Sequence, residues 1–283
     1  MAIEDEIQTA WMAGHSVDFA FASTWDKGIM LASRRSWWRI AKTMADQSAR
    51  PKAPTRRQSR EPRTAPVHCA TGPGQVWSWD ITDLRSPWRG VTYKAYSIID
   101  IYSRKIVGYR VEVREADHLA VEMFDQAIAT FGAPDFVHAD SGPAMRSNLL
   151  ADFLHGHDVA MTHNRPRVSN DNPYSESEFR TMKYRPNYPG TFTSIDDARA
   201  YMNWYVPWYN GRHKHSGIAL FSPDEVHDGS WRERWIARDR TLQAYRDANP
   251  ERFHGRPRTP APASLVGINF PDTTIEAQRL QAA

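Results

Sequence analysis

Short stretches of alternating and helical hydrophobic pattern divide the middle of the chain into elements. The segment QVWSWDIT (75–82) alternates apolar and polar residues, which predicts a half-buried strand. Two further strands are predicted within 93–113, joined near residues 102–105. Residues 117–132 carry an apolar stripe at helical spacing, with Asp117 as the predicted cap and Gly132 as the stop. The pattern therefore begins with three strands and a helix.

Strands and helices then alternate. The segment DFVHADSG (135–142) predicts a short strand that ends in a turn, and it is followed by a helix near 147–155 and a strand near 158–162. Three more helices are predicted, near 173–184, 194–210 and 231–247, before a proline-rich extended tail. This order predicts an α/β fold in which an antiparallel meander is extended by parallel crossovers, with helices on both faces.

The N-terminal part of the chain is basic. Residues 1–26 carry only a weak pattern, whereas 31–44 place Trp37, Ile40 and Met44 at helical spacing beside several basic residues. Residues 27–63 contain 11 Lys or Arg against two acidic residues, a net charge of +9 in a chain whose total is +3. A basic arm of this kind often means nucleic acid, and residues 31–44 could then be a recognition helix. The alternative is a surface helix whose basic residues simply face solvent.

Composition excludes several classes of protein. The single cysteine, Cys69, excludes a disulfide framework and any multi-cysteine zinc site. Neither a signal segment nor a run of 18 apolar residues is present, so we expect a soluble cytoplasmic protein.

The segment RVSNDNPYSESEF (167–179) carries three carboxylates in a polar setting. A helix is predicted to begin at Pro173 with Asn172 as its N-cap. At about 100° per residue, Glu176 and Glu178 point roughly 200° apart and cannot both line one site.

The two faces of this helix differ in chemistry. Glu176 shares its face with Arg180 and Lys183, which suits a site that binds metal and phosphate, although a surface Glu–Arg pair has the same spacing. Glu178 shares its face with Tyr174 and Met182. Glu176 is therefore the candidate for chemistry, and Glu178 is not.

Two other carboxylates complete a candidate site. Asp80 projects from the polar face of the first strand, and Asp140 ends a later strand just before a turn, where α/β sheets place ligands. Mg²⁺ prefers carboxylate oxygens together with water and phosphate, and paired ions serve phosphoryl transfer. Each carboxylate taken alone also has an ordinary structural explanation.

The motifs WSWDIT, HADSG and SNDNPYSESEFRTMKY, in this order, resemble the catalytic core of bacterial insertion-sequence transposases of the retroviral-integrase type. Those are DDE enzymes with a ribonuclease-H-like fold. Asp140 and Glu176 have 35 residues between them, the separation that this group uses. The segments 98–109 and 208–226 are similar to the family as well. The resemblance therefore implies a ribonuclease-H-like mixed five-stranded sheet flanked by helices, with a small helical N-terminal segment.

The resemblance also implies a function. Asp80, Asp140 and Glu176 become catalytic metal ligands for Mg²⁺, which Mn²⁺ can replace, in DNA cleavage and strand transfer by a transposase. The basic residues expected to contact DNA are Lys183, Arg180, Arg34, Arg35 and Arg39. Two alternatives are a hydrolytic nuclease of the same fold and an inactive transposase remnant that only binds DNA.

Four regions and several partners are expected. The regions are a partial helix-turn-helix-like segment (1–46), a basic linker (47–72), an integrase core (73–226) and a C-terminal helix with an extended tail (227–283). The partners are double-stranded DNA at element ends and targets, further copies of the chain, and a helix-turn-helix protein from an upstream reading frame, with no membrane. The expected location is the cytoplasm, at the nucleoid.

Smaller predictions concern individual residues. Asp100 is expected either to be structural or to support the metal ligands from behind, and His138 and Asn172 are expected to make ordinary hydrogen bonds near the site. Asp171 is expected in a loop, and Pro143 to stiffen the turn after Asp140. Separately, His213 and His215 are not expected to bind metal.

Overall fold

The computed structural model describes residues 3–45, 68–140, 142, 144–164 and 172–268. Its helices are α1 (Ile3–Met12), α2 (Val17–Asp26), α3 (Arg34–Ala45), α4 (Asp117–Phe131), α5 (Asn148–His155), α6 (Pro173–Lys183), α7 (Ile195–Arg212), α8 (Pro223–Asp228) and α9 (Trp231–Ala248). Its strands are β1 (His68–Ala70), β2 (Val76–Arg85), β3 (Thr92–Asp100), β4 (Ile106–Glu112), β5 (Phe136–Ala139), β6 (Ala160–His163) and β7 (Val266–Ile268).

The chain divides into two compact units. The sheet unit contains the described residues of Arg56–Lys183, Pro189–Asn210 and Ala263–Ala283. The helical unit contains the described residues of Met1–Thr55, Tyr184–Tyr188 and Gly211–Pro262.

A five-stranded mixed sheet forms the centre of the sheet unit. Its strand order is β4-β3-β2-β5-β6. The first three strands in sequence, β2 to β4, pair antiparallel, whereas β5 and β6 run parallel to β2. This is the predicted meander with parallel crossovers, and the ribonuclease-H-like fold class is confirmed.

Alternation along β2 decides which helix covers which face. Trp77 and Trp79 are fully buried, and Trp79 meets Phe124 of α4 edge-on with ring centroids 5.5 Å apart. Ser78 points the other way and hydrogen-bonds Asn172 at the start of α6. Helices α4 and α6 therefore cover opposite faces, as the period of two requires.

One predicted helix cap is wrong. Ala116, not Asp117, is the N-cap of α4, and it makes no side-chain capping bond. The Asp117 carboxylate instead accepts a hydrogen bond from the Ser147 hydroxyl at 2.9 Å. The predicted stop is confirmed, because Gly132 ends the helix with φ of +82°.

The turn between β3 and β4 explains Asp100. Its side chain is fully buried and accepts hydrogen bonds from the N–H and hydroxyl of Ser103, at 2.7 and 2.8 Å, and from the Gly74 N–H at 2.7 Å. These bonds fold residues 101–104 into a tight turn. Asp100 is therefore structural, as predicted.

The helical unit contains two helices where the sequence pattern is weak, α1 and α2. They pack with α3 around a core that includes Ile7, Phe21, Trp25 and Trp37. On α3, Trp37 is buried as predicted, and Ile40 and Met44 pack against this core.

A buried ion pair joins α2 to α9 within the helical unit. Arg238, 1% exposed, donates to Asp26 at 2.8 Å and to the carbonyl oxygens of Ala219 and Leu220 at 3.1 and 3.0 Å. Full hydrogen bonding of this kind is what makes a buried guanidinium tolerable.

A small antiparallel pair of strands, β1 and β7, also belongs to the sheet unit. Residues 68–70 of the predicted linker form β1, and residues 47–67 of that linker lie outside the described residues. The predicted region boundaries stay a prediction. Among the described residues, we find no helix with the length and hydrophobicity needed to span a bilayer.

Candidate active site

The sheet brings Asp80 and Asp140 together. Trp79 of β2 pairs with Ala139 of the parallel strand β5, so the next residue on each strand is one of these two aspartates. Adjacent strands lie about 4.8 Å apart. The two carboxylates therefore stand side by side where β5 ends against the middle of β2, Asp80 partly buried and Asp140 exposed.

The N-terminus of α6 is tied to β2 beside Asp80. Asn172 accepts hydrogen bonds from the Ser175 N–H at 3.4 Å and from the Ser78 hydroxyl, and its amide donates to the Trp79 carbonyl at 3.3 Å. The predicted N-cap is confirmed. Because this junction fixes the first turn of α6, it carries the exposed Glu176 to the side of Asp80.

Neighbouring carboxylates act electrostatically on Asp80. Burial raises the pKa of Asp80 to about 7, and the negative charges of Asp140, Glu176 and Glu115 raise it as well. The Ile81 N–H, which donates to its Oδ1 at 2.8 Å, acts in the opposite direction. A carboxylate in this setting is stabilised by any cation that joins it.

A hydrogen-bonded chain reaches Asp140 from inside the sheet. His138 is fully buried, and its ring nitrogens contact Thr162 Oγ1 at 2.9 Å and Asn164 Oδ1 at 2.7 Å. The Asn164 amide donates to Asp140 Oδ1 at 3.3 Å. His138 and Asn164 thus orient a carboxylate of the site from behind.

Glu178 lies under the site rather than in it. Its side chain is fully buried, and neither carboxyl oxygen has a hydrogen bond of ordinary geometry to any described residue. Burial raises its pKa to about 8; the nearby Asp80 charge also raises it, while the hydroxyls of Tyr205 and Ser97 oppose the shift. The predicted divergence of Glu176 and Glu178 is confirmed by their opposite burial.

Lys183 lies over the same face of β2 as Asp80. Its Nζ donates to Thr82 Oγ1 at 2.6 Å, and Thr82 lies two residues from Asp80 on the same face of β2. Burial lowers the pKa of Lys183, and the negative charges of Asp83, Glu178 and Asp80 raise it. Arg180, one turn after Glu176, is exposed.

The other three predicted DNA contacts lie on α3 of the helical unit. Arg34 donates from Nε and Nη2 to the two carboxylate oxygens of Asp18, both at 2.8 Å, and the Trp38 indole donates to the same carboxylate at 2.8 Å. Arg35 and Arg39 are exposed. Arg34 thus has a structural partner, whereas Arg35 and Arg39 face solvent.

Within the described ranges, no group of three or more His, Cys, Asp or Glu side chains is close enough to hold a metal ion. That absence includes Asp80, Asp140 and Glu176, whose charges act on one another but which are not gathered into a metal-binding cluster; the expectation for His213 and His215 stays a prediction. Asp171 and Pro143 lie outside the described residues, as does Ser141 of the turn after Asp140.

Two features of the site went unpredicted. Asn164 carries no sequence signal, because its partner His138 is 26 residues away on the neighbouring strand. The full burial of Glu178 has a signal in retrospect: it shares a helix face with the buried Met182.

Comparison with known proteins identifies the class. Two models described as integrase core domain match this chain, one over residues 70–169 and the other over 157–223. Residues 70–223 therefore form an integrase core domain.

The curated relatives are insertion-sequence transposases. The chain is 30% identical over 159 residues to the transposase for insertion sequence element IS904 of Lactococcus lactis, covering 55% of this chain and 62% of that protein. It is 23% identical over 167 residues to the putative transposase InsK for IS150 of Escherichia coli, covering 58% of each. The chain thus spans about three fifths of the length of these relatives. It belongs with the bacterial insertion-sequence transposases that carry an integrase-type core.

Solved structures are similar at a lower level. The HTLV-2 integrase catalytic core domain in complex with magnesium matches 55% of this chain and 97% of that chain, with 17% identity and a TM-score of 0.41. The simian T-cell lymphotropic virus intasome in complex with a PP2A regulatory subunit matches 70% of this chain and 67% of that chain, with 19% identity and a TM-score of 0.44.

Proposed function

We propose that this chain is a DNA transposase that catalyses metal-dependent cleavage at the ends of an insertion element and transfer of the cleaved strand to target DNA. The observation that carries the proposal is the placement of three carboxylates by neighbouring elements: Asp80 and Asp140 directly follow the paired residues Trp79 and Ala139, and the bonds of Asn172 to β2 hold the start of the helix that carries Glu176. An integrase core domain over the same residues supports it.

The donor set suits a divalent cation by its chemistry, and the three carboxylates would have to draw closer together than they stand here to share one ion. Three carboxylates match the oxygen ligands that Mg²⁺ and Mn²⁺ take, with room for water and phosphate because Asp140 and Glu176 are exposed. Partly buried like charges also gain most from a cation that neutralises them. When bound, a pair of such ions activates the attacking hydroxyl and stabilises the leaving oxygen.

The protein's own residues hold and orient the reacting groups. In the first reaction water attacks a phosphodiester at an element end and frees a 3′-hydroxyl; in the second this hydroxyl attacks a phosphodiester of the target. The hydrogen bond from the Asn164 amide holds the Asp140 carboxylate. The Asn172 junction holds the first turn of α6, which carries Glu176. Lys183 and Arg180, which follow Glu176 on α6, bind the DNA backbone beside them.

The partners follow from the reaction. Double-stranded DNA is the substrate, and Arg35 and Arg39 of α3 are its proposed contacts in the helical unit. Copies of the chain are proposed to assemble on paired element ends. The helix-turn-helix protein from an upstream frame stays a prediction from the sequence, since neither the reaction nor the comparisons call for it.

The test is strand transfer with labelled duplexes that carry the inverted repeats flanking the coding sequence. We expect cleaved and joined products from the wild type with Mg²⁺ and none from Asp140→Asn. The control is Asp135→Asn, an exposed aspartate directly before β5, which should give wild-type yields. Cleavage without joined product would identify a hydrolytic nuclease. DNA binding that is unchanged without Mg²⁺, with no cleavage, would identify a DNA-binding remnant.

A further inference from the structure

The β2–β3 hairpin extends well past the candidate site. Asp80 pairs with Ser97, and the ladder continues without interruption to the pair Arg85 and Thr92. Residues 86–91, here called the hairpin tip, then reverse the chain. The turn is held by hydrogen bonds from the Ser86 N–H to the Val91 carbonyl at 3.3 Å and from the Val91 N–H to the Trp88 carbonyl at 3.1 Å, with Gly90 at φ of +80°.

The hairpin tip presents an exposed indole. Trp88 is 63% exposed, although a tryptophan ring normally contributes most of its area to a core or an interface. Pro87 and Val91 beside it are exposed as well. A defined turn that displays apolar side chains to solvent is typical of a binding element.

Two arginines lie on either side of Trp88 in the sequence. Arg85 and Arg89 are both exposed, and neither forms an ion pair with any residue that the structure describes. The nearby Lys94, by contrast, is paired with Asp83 at 2.6 Å and Glu115 at 2.9 Å. Exposed arginines close in sequence to an exposed indole suit phosphates and stacked bases, because guanidinium binds phosphate and every base offers a flat face.

The hairpin carries its tip well away from Asp80. Arg85 lies five residues after Asp80, and a strand rises about 3.4 Å per residue, so the tip begins roughly 17 Å from Asp80. A duplex also rises about 3.4 Å per base pair, so a hairpin that follows the duplex axis would place its tip about five base pairs from Asp80.

We propose that the hairpin tip is a DNA-binding element in which Arg85 and Arg89 bind phosphates and the Trp88 indole stacks on a base at a distorted or unpaired step, about five base pairs or more from the cleaved phosphodiester. The position relative to the cleaved bond rests on the proposed transposase function. The contact itself does not, because it requires no metal and no cleavage.

The test measures DNA binding by the full chain carrying Glu176→Gln, in EDTA, so that cleavage plays no part. The probes are end-labelled duplexes with a single unpaired 2-aminopurine placed two to ten base pairs from the cleavage position. We expect quenching of the probe near five to seven base pairs. Trp88→Ala should abolish this quenching and weaken binding about 5- to 100-fold, whereas Trp88→Phe should retain most of both.

The arginines are tested by salt dependence. Loss of two phosphate contacts in the Arg85→Gln, Arg89→Gln double variant should reduce the slope of log Kobs against log salt by about 1.8. Matched controls are Trp204→Ala, also an exposed tryptophan, and the Arg232→Gln, Arg240→Gln double variant, which changes net charge equally. Both controls should match the parent.

Two results would overturn the hairpin proposal alone: wild-type-like binding and quenching by Trp88→Ala, or loss of self-association in sedimentation while DNA binding is unchanged. The second result would make the tip a contact between copies of the chain. If the parent protein binds none of the duplexes, the hairpin proposal and the proposed function both fail.

Discussion

Glu178 is a carboxyl group enclosed by protein, and this makes the stability of the sheet unit depend on pH. Its pKa is about 8 in the folded chain, against a usual value of 4.5, because burial and the Asp80 charge disfavour ionisation. The folded state therefore keeps a proton that the unfolded state loses. Stability from this group is complete below about pH 4.5 and is lost as pH rises through 8.

The size of the effect follows from these two values. Between pH 6 and pH 8.5, the linkage through Glu178 alone lowers the free energy of unfolding by about 2.5 kcal/mol. Glu178→Gln keeps the shape of the protonated side chain but cannot ionise. We therefore expect the variant to lose this part of the pH dependence and to be more stable than the wild type at pH 8.5.

The assay is urea unfolding in EDTA at pH 6 and pH 8.5, followed by circular dichroism. Asp125→Asn is the control, since this exposed aspartate on α4 removes the same charge from the same unit. It should follow the wild type. Equal pH dependence in the wild type and Glu178→Gln would refute the reasoning, because it would show that the buried carboxyl does not carry the proton.

Three further predictions concern the site and the helical unit. Mg²⁺ at ten times its Kd should stabilise the wild type against thermal unfolding by about 1.4 kcal/mol. Asp80→Asn should abolish this stabilisation, and an equal stabilisation of the variant would exclude Asp80 as a ligand. Asn164→Ala should raise the Mg²⁺ concentration needed for cleavage by roughly 10- to 100-fold, because Asp140 loses its orienting bond; an unchanged Mg²⁺ titration would argue against this. Asp18→Ala should destabilise the helical unit by about 2 kcal/mol in urea unfolding, since Arg34 loses both hydrogen bonds, and no change would show the pair to be a surface contact only.

Elements with a strong, one-sided pattern could be predicted from sequence. The alternation in β2 and the apolar stripe of α4 predict the strand and the helix that covers its apolar face, because each element has one apolar and one polar side. Helix α2 shows why others could not. Its buried residues lie on nearly every side, from Val17 to Trp25, so no periodic stripe distinguishes it.

The candidate site likewise contains some residues that the sequence predicts and others that it does not. Asp80, Asp140 and Glu176 could be proposed from motif and spacing, because each follows or begins a predictable element. The Asn164 bond to Asp140 depends on strand register between β5 and β6, which no local pattern reports. The hairpin tip also needed the structure, since only the unbroken ladder shows how far it projects from Asp80.

The most direct test of the account compares Glu176→Gln with Glu178→Gln in Mg²⁺-dependent cleavage and joining of element-end DNA. The substitutions are identical and lie two residues apart on α6, one exposed and one fully buried. The account predicts that Glu176→Gln loses at least about a hundredfold in rate, on the order of 3 kcal/mol or more, while Glu178→Gln stays near the wild type. A Glu176→Gln variant that cleaves and joins at the wild-type rate would contradict it.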